Sequence, residues 1–457
     1  MEIYSLTIKQ IKKGLAEKFF SEAEVYSSYL DRIKKHNKDL NIFLTICDTP
    51  YKKEKAKKND LTGIPIGVKD MFVTKGLRTT AASKVLDNYI PEYSGTVVSR
   101  LLNTGASIIG KTNQDAWAHG SSGENSDYGP TKNPWNTTYV PGGSSSGSAA
   151  SVAADMSPVA LGTDTGGSIR TPASFCGVVG LKPTYGRFSR YGVIAMASSL
   201  DSPGVFTHTV EDAEYVFNLL SGKDHYDATT LSTSSKPVPP KIRIGIPKEY
   251  FGSGLDPEIR TIIENAIAEI KKLPFVSEFV EISLPHTEYG IATYYMVMTS
   301  EVSSNLARYD GIRYGSDRSY FAEEAKRRIM LGTYALSAGY YDAYYKKAMK
   351  VRTLIKQDFD RAFEKVDILI APVSPTPPFK LGEKVNDPMA MYLSDVLTVN
   401  ANLAGIPGLA LPAGFTKSGL PIGMQFLGSQ MGEDILFSLG KKYQEVTDWH
   451  LKKPKIL

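Results

Sequence analysis

Between Pro141 and Thr184 the chain gathers its small residues into two clusters, Gly142-Gly143-Ser144-Ser145-Ser146-Gly147 and Gly162-Thr163-Asp164-Thr165-Gly166-Gly167-Ser168. The alanine-rich, weakly polar segment between them suits a buried helix leading into a short strand. Glycine lets a backbone take positive φ or approach a ligand closely, so the N–H groups of Thr165, Gly166, Gly167 and Ser168 can be aimed at one point. Donors preorganised in this way are worth roughly 2.7 to 4 kcal/mol each in acyl transfer, and Ser168 supplies a hydroxyl beside them. A Gly/Ser loop is otherwise read as a linker or a phosphate cradle. Linkers are polar on both sides, whereas apolar runs flank this one (Val152 to Ala154, Val159 to Leu161, Phe175 to Leu181), and neither cluster contains G-x-x-x-x-G-K-[ST].

A serine nucleophile needs a base. The six histidines (His36, His119, His208, His225, His286, His450) occupy no triad-like setting in the sequence. Lys69 is the better candidate, because it ends the apolar run Ile64 to Val68, where desolvation would lower its pKa from about 10.4 toward the working pH. A drop of roughly three units costs about 4 kcal/mol, a burden expected at an active site rather than in an ordinary core. Taken without the serines, Lys69 would read as a strand-end surface residue.

Together these stretches resemble the amidase signature family, whose motif runs from a GGSSGG-like turn to G-T-D-x-G-G-S-[IV]-R-x-P; here its two serines are Ser144 and Ser168. The resemblance implies an α/β fold with a large central mixed β-sheet covered by helices on both faces. It also implies Ser168 as nucleophile, Ser144 on a cis peptide as proton relay, Lys69 as base, and the four backbone N–H groups as the oxyanion hole.

Within the family the chain is most similar to the glutaminase subunits of tRNA-dependent amidotransferases. The likeness extends beyond the signature to Ser122-Gly123-Glu124-Asn125-Ser126, Lys182-Pro183-Thr184-Tyr185-Gly186-Arg187, Lys326-Arg327-Arg328-Ile329-Met330-Leu331-Gly332, Gly339-Tyr340-Tyr341-Asp342-Ala343-Tyr344-Tyr345 and Ala401-Asn402-Leu403-Ala404-Gly405. It implies that Arg328 grips the α-carboxylate of glutamine and Asp395 its α-ammonium; without it, both read as surface or capping charges. It further implies a kinase-like B subunit that receives ammonia and acts on charged tRNA (Glu-tRNA(Gln), or Asp-tRNA(Asn)), and a small C subunit. ATP and magnesium are then expected on the partner, with no cofactor or metal in this chain. The alternatives are a stand-alone amidase for aliphatic or aryl amides and a non-catalytic assembly subunit. Three departures from the pattern stand out: serine at 146 where glycine is usual, glycine at 123 where threonine is usual, and a shortened stretch between Gly315 and Lys326.

At 457 residues, the chain has no clean break in composition. It reads as one amidase domain, with N-terminal helices in 1–55, the signature core in 56–220, a linker-like segment in 221–240 and a second half in 241–457. Its net charge of +5 is too thinly spread to mark a nucleic-acid surface. Two cysteines, Cys47 and Cys176, make neither a metal cluster nor a disulfide framework. The first twenty residues lack a continuous apolar stretch, and no run of 18 apolar residues occurs, so a cytoplasmic protein without a membrane span is expected.

Periodicity predicts two helices in 3–36, starting at Ser5 or Thr7 and at Ser21 with Glu24, and a charged helical surface over 52–59. It predicts strands over 61–75, 106–110, 243–247, 276–282, 366–371, 408–412 and 423–427. Helices are expected over 97–102, 209–220, 257–273, 320–363, 391–403 and 434–446, and residues 180–187 read as turns. The long polar run from Lys111 to Trp135 has little periodicity, and such a passage inside a domain usually shapes a site.

Overall fold

The structure, a computed structural model, describes residues 2–53, 60–232, 236–313 and 315–456, so most of the charged segment 52–59 lies outside the described residues. Eleven strands are present among them: β1 Phe43–Tyr51, β2 Pro65–Lys69, β3 Ser107–Thr112, β4 Val159–Asp164, β5 Val179–Lys182, β6 Ser202–Thr207, β7 Ile242–Pro247, β8 Val276–Ile282, β9 Ile368–Pro372, β10 Gly408–Phe415 and β11 Pro421–Gly428. They form a single mixed sheet in the order β1-β3-β2-β4-β6-β5-β10-β11-β9-β7-β8. β3, β2 and β4 run parallel, as do β9, β7 and β8, and antiparallel strands join the two groups. The halves on either side of segment 221–240 meet where β5 pairs with β10.

Interior strands β2 to β6 are buried along their whole length, whereas the edge strands β1 and β8 are half exposed. A strand covered on both faces loses the alternation that marks it in a sequence. That is why residues 180–182, expected as turn, are strand β5, and why β6, with Pro203-Gly204 inside it, gave no signal. A Cβ at Gly204 would lie 2.1 Å from the carbonyl oxygen of Leu181, so the close approach of β5 and β6 requires glycine there.

The N-terminal helices Ile8–Ala16 and Glu22–Leu40 begin with capping boxes, Thr7 with Gln10 and Ser21 with Glu24. Helix Val210–Leu220 is capped by Thr209, whose hydroxyl accepts from the N–H of Asp212. Two long helical expectations are corrected. Residues 320–363 divide into Glu323–Leu336 and Lys347–Lys365, parted at Ser337 to Gly339, where Gly339 takes φ +84°. Residues 391–403 divide into Pro388–Tyr392, a 3-10 turn Leu393–Asp395 and Val399–Ala404. Tertiary bonding breaks the second: the Thr398 hydroxyl reaches the carbonyls of Asp395 (3.0 Å) and Gly166 (2.6 Å) and draws this segment onto the signature. Among the described residues no helix is long and apolar enough to cross a membrane.

Candidate active site

Because β2 and β4 pair in parallel, with Val68 opposite Leu161, their carboxyl ends lie side by side and bring Lys69 next to Thr163 and Asp164. The helix Ser146–Ala153 packs over both strands with all eight of its residues buried. Only short side chains fit there. A Cβ at Gly147 would meet the backbone of Ile42 and Asn113 at 2.5 to 2.7 Å, and Ser148 satisfies its hydroxyl on Leu161 O and Thr112 Oγ1. The turn before this helix, with a cis Gly143–Ser144 peptide, sets Ser144 and Ser145 over the end of β2.

Lys69 is completely buried and its Nζ donates to Ser144 Oγ (2.8 Å), Ser145 Oγ (2.9 Å) and Thr163 Oγ1 (2.8 Å). Burial pushes its pKa down to about 7, against the opposing pull of Asp115 and Asp164, so the neutral amine is populated at neutral pH. Which hydroxyl can return a proton to it follows from their other partners. Ser145 donates to Thr163 O and Thr163 to Met71 Sδ. Among the described residues Ser144 Oγ has no other bond, so its proton alone is free to point at Lys69. Ser168, at 7% exposed, is the hydroxyl of the cluster most open to a substrate; its carbonyl accepts from the N–H of Ser145 at 3.2 Å.

The loop after β4 is held by Asp164. Burial would raise this carboxyl, but Arg170 outweighs it and holds the pKa at about 2. Its oxygens accept from the N–H groups of Gly167 (2.8 Å) and Ile169 (3.1 Å), from Arg170 Nε (3.1 Å) and from Asn402 Nδ2 (2.8 Å). Gly167 therefore spends its N–H inside the loop, a correction to the four-donor expectation. Among the described residues the N–H groups of Thr165, Gly166 and Ser168 find no internal acceptor. Side chains at Gly166 and Gly167 would collide with Tyr294 and Thr398, at 2.6 and 2.3 Å, so the loop accepts only glycine there.

The polar run 111–135 does frame this site. Asp115 receives N–H bonds from Gly123 and Asn125 while its own N–H donates to Ser144 O, and Gly143 N–H donates to Ser121 O. Gly123, at φ +89°, faces Ser146: a Cβ on Gly123 would lie 2.6 Å from Ser146 Cβ. Two of the three departures from the family pattern thus meet in space and offset each other in volume.

Arg328 and Asp395 are both buried but not paired with each other. Asp395 Oδ2 accepts from Ser121 Oγ at 2.6 Å, and burial raises its pKa to about 7 despite that bond. Arg328 Nε donates to Glu324 Oε1 at 2.7 Å, Nη1 lies 3.6 Å from Met298 Sδ, and the guanidinium sits over the rings of Tyr295 and Tyr392. A cavity of about 160 Å³ opens here between Gly120, Ser122, Glu324, Arg328 and Tyr392. Sequence reasoning missed Ser145, Thr163, Ser121, Glu324, Tyr295 and Tyr392. The triple serine and the SS of Ser121-Ser122 were the available signals; nothing in the sequence points to the tyrosines. Among the described residues no three His, Cys, Asp or Glu side chains converge as a metal site would require.

A mixed sheet of this order, carrying Gly/Ser loops at adjacent carboxyl strand ends, defines a family that the sequence also reports: the chain belongs to the amidase family, whose sequence model matches residues 24–437. Among its relatives, the A subunit of the glutamyl-tRNA(Gln) amidotransferase of Trichlorobacter lovleyi is 49% identical over 487 aligned positions, covering 99% of each chain. The crystal structure of the A subunit of glutamyl-tRNA(Gln) amidotransferase from Thermotoga maritima superposes with a TM-score of 0.87 at 37% identity, covering 100% of this chain and 99% of that one. 6-Aminohexanoate cyclic dimer hydrolase shares the fold, with a TM-score of 0.89 at 24% identity and 99% of each chain covered.

Proposed function

We propose that this chain is the glutaminase subunit of a tRNA-dependent amidotransferase, hydrolysing glutamine to glutamate and ammonia in the cytoplasm. The observation that carries the reading is its likeness, across 99% of both chains, to a relative of that name; the separate buried partners of Arg328 and Asp395 support it. A free amino acid brings one carboxylate and one ammonium into a closed pocket, and each is costly to bury unpaired. Arg328 takes the first through its planar donor edge and Asp395 the second.

Ser168 Oγ attacks the side-chain amide carbon of glutamine, and its proton passes by way of Ser144 to Lys69. Backbone N–H groups of Thr165, Gly166 and Ser168 stabilise the oxyanion. Collapse breaks the C–N bond, with the proton returned to the departing ammonia, and an acyl-enzyme remains. Water attacks that ester by the same route, releases glutamate and restores Ser168. Segments 1–220 and 241–457 act here as one amidase domain, since the sheet is continuous across β5 and β10. Ammonia passes to the B subunit, where ATP and magnesium activate the charged tRNA, Glu-tRNA(Gln) or Asp-tRNA(Asn), while the small C subunit holds the assembly together.

The test is ammonia release from glutamine, asparagine and a simple aliphatic amide, for the wild type, Ser168→Ala, Arg328→Ala and Asp395→Ala, with and without the B and C subunits. Glutamine turnover is expected to vanish in Ser168→Ala, to weaken mainly through KM in the other two, and to rise with partners. A better rate on the aliphatic amide, with Arg328→Ala and Asp395→Ala inert, would make the chain an independent amidase.

A further inference from the structure

Arg328 stands on helix Glu323–Leu336, one turn after Glu324, so both side chains project from the same face. Glu324 is not a solvated helix-end charge: its side chain is 14% exposed and it lies against the cavity. Oε1 accepts from Arg328 Nε at 2.7 Å and from the Tyr392 hydroxyl at 3.3 Å, and Oε2 pairs with Arg327. Tyr392 in turn stacks on Tyr295 with ring centroids 4.0 Å apart and belongs to the segment that carries Asp395. With Nε bound to Glu324 and Nη1 against Met298, the guanidinium plane is fixed, and among the described residues Nη2 has no internal acceptor. One carboxylate facing two arginines also leaves one positive charge over.

We propose that Glu324 is a positioning and specificity-determining residue of this site. It orients Arg328 so that one guanidinium edge faces the cavity, and it trims the local charge to that of a single substrate carboxylate. It also ties the carboxylate side of the pocket, through Tyr392, to the segment that presents Asp395. The inference rests on the reading of Arg328 as the partner of the α-carboxylate. It assigns Glu324 to binding and not to chemistry, because Glu324 touches neither Ser168 nor Lys69.

Glutamine kinetics of Glu324→Ala, Glu324→Asp and Arg328→Ala in the full chain with its partner subunits test it, alongside labelling of Ser168 by a fluorophosphonate, a serine-directed probe with no carboxylate. Glu324→Ala is expected to raise KM about tenfold with kcat changed less than about twofold. Glu324→Asp should recover part of that loss, and the labelling rate should match the wild type. A guanidinium freed from a competing carboxylate would instead bind glutamine more tightly, so an unchanged or lowered KM in Glu324→Ala overturns the proposal. So does a loss of Ser168 labelling in step with turnover, which marks a folding defect. If Arg328→Ala raises KM and Glu324→Ala does not, the positioning role falls while the glutamine site stands. If neither moves KM, the assignment of Arg328 falls and this proposal with it.

Discussion

The two sides of the site are built on different principles. Around Lys69 the structure uses short hydroxyls and glycines at the ends of paired strands, with each group held by backbone or by a neighbour one or two residues away in the motif. Around Arg328 it uses long side chains and tyrosine rings, brought together from three separate segments around Met298, Glu324 and Tyr392. The first arrangement tolerates almost no substitution, because the sites of Gly166, Gly167 and Gly147 leave no room for a Cβ. The second can change its lining without moving a strand, so one fold can keep its chemistry and alter its substrate.

The contrast breaks most visibly at Lys69. Replacing it with alanine removes the base and is expected to lower kcat by about 10⁴-fold or more, with KM for glutamine changed only a few-fold; a kcat within tenfold of wild type would mean that another group takes the proton.

The pH profile separates the two sides next. Lys69 must be neutral to accept a proton, and its pKa is lowered to about 7, so kcat should fall about tenfold per unit below that point and stay level above it. Asp395 must be ionised to hold an ammonium, and its pKa is raised to about 7. KM should therefore fall as pH rises through the same range, which makes kcat/KM steeper than kcat on the acid side. Profiles of both parameters between about pH 5 and 9 decide this; a flat kcat would remove Lys69 from the proton path.

At the outer edge of the first region, Gly123→Ala should cost about 1–3 kcal/mol through overpacking against Ser146 and its positive φ. Ser146→Gly in the same chain should recover the steric share. A double-mutant cycle by chemical denaturation measures the coupling, and strict additivity would separate the two positions.

The smallest effect is expected for Ser145→Ala. It removes one of three acceptors from the Lys69 ammonium, destabilises the fold by about 1–3 kcal/mol, and moves the kcat midpoint to lower pH because the charged form loses support. A midpoint moved upward would contradict the roles assigned to these hydroxyls.

These two construction styles also explain what could be read in advance. Lys69, Ser144 and Ser168 announce themselves because the chemistry demands particular small residues in a fixed local order. Arg328 and Asp395 emerged only through resemblance to a family, and Glu324, Tyr295 and Tyr392 not at all, since their roles arise from packing between distant segments. The same division runs through the fold. Capped helices such as Glu22–Leu40 and Val210–Leu220 carry their signals in sequence. The strands β5 and β6, filled with glycine and proline and buried on both faces, carry none, and the breaks near Gly339 and Thr398 are imposed by backbone geometry and by a bond to Gly166.

Asp164 and its loop lie before residue 220, yet Asn402, Thr398 and Gln425 brace them from the far end of the chain. A message truncated after the first half would still encode all three reacting side chains, and its product would be chemically silent. The unit on which selection acts is consequently the whole length, and a gene for this protein gains nothing from being shortened to its motif.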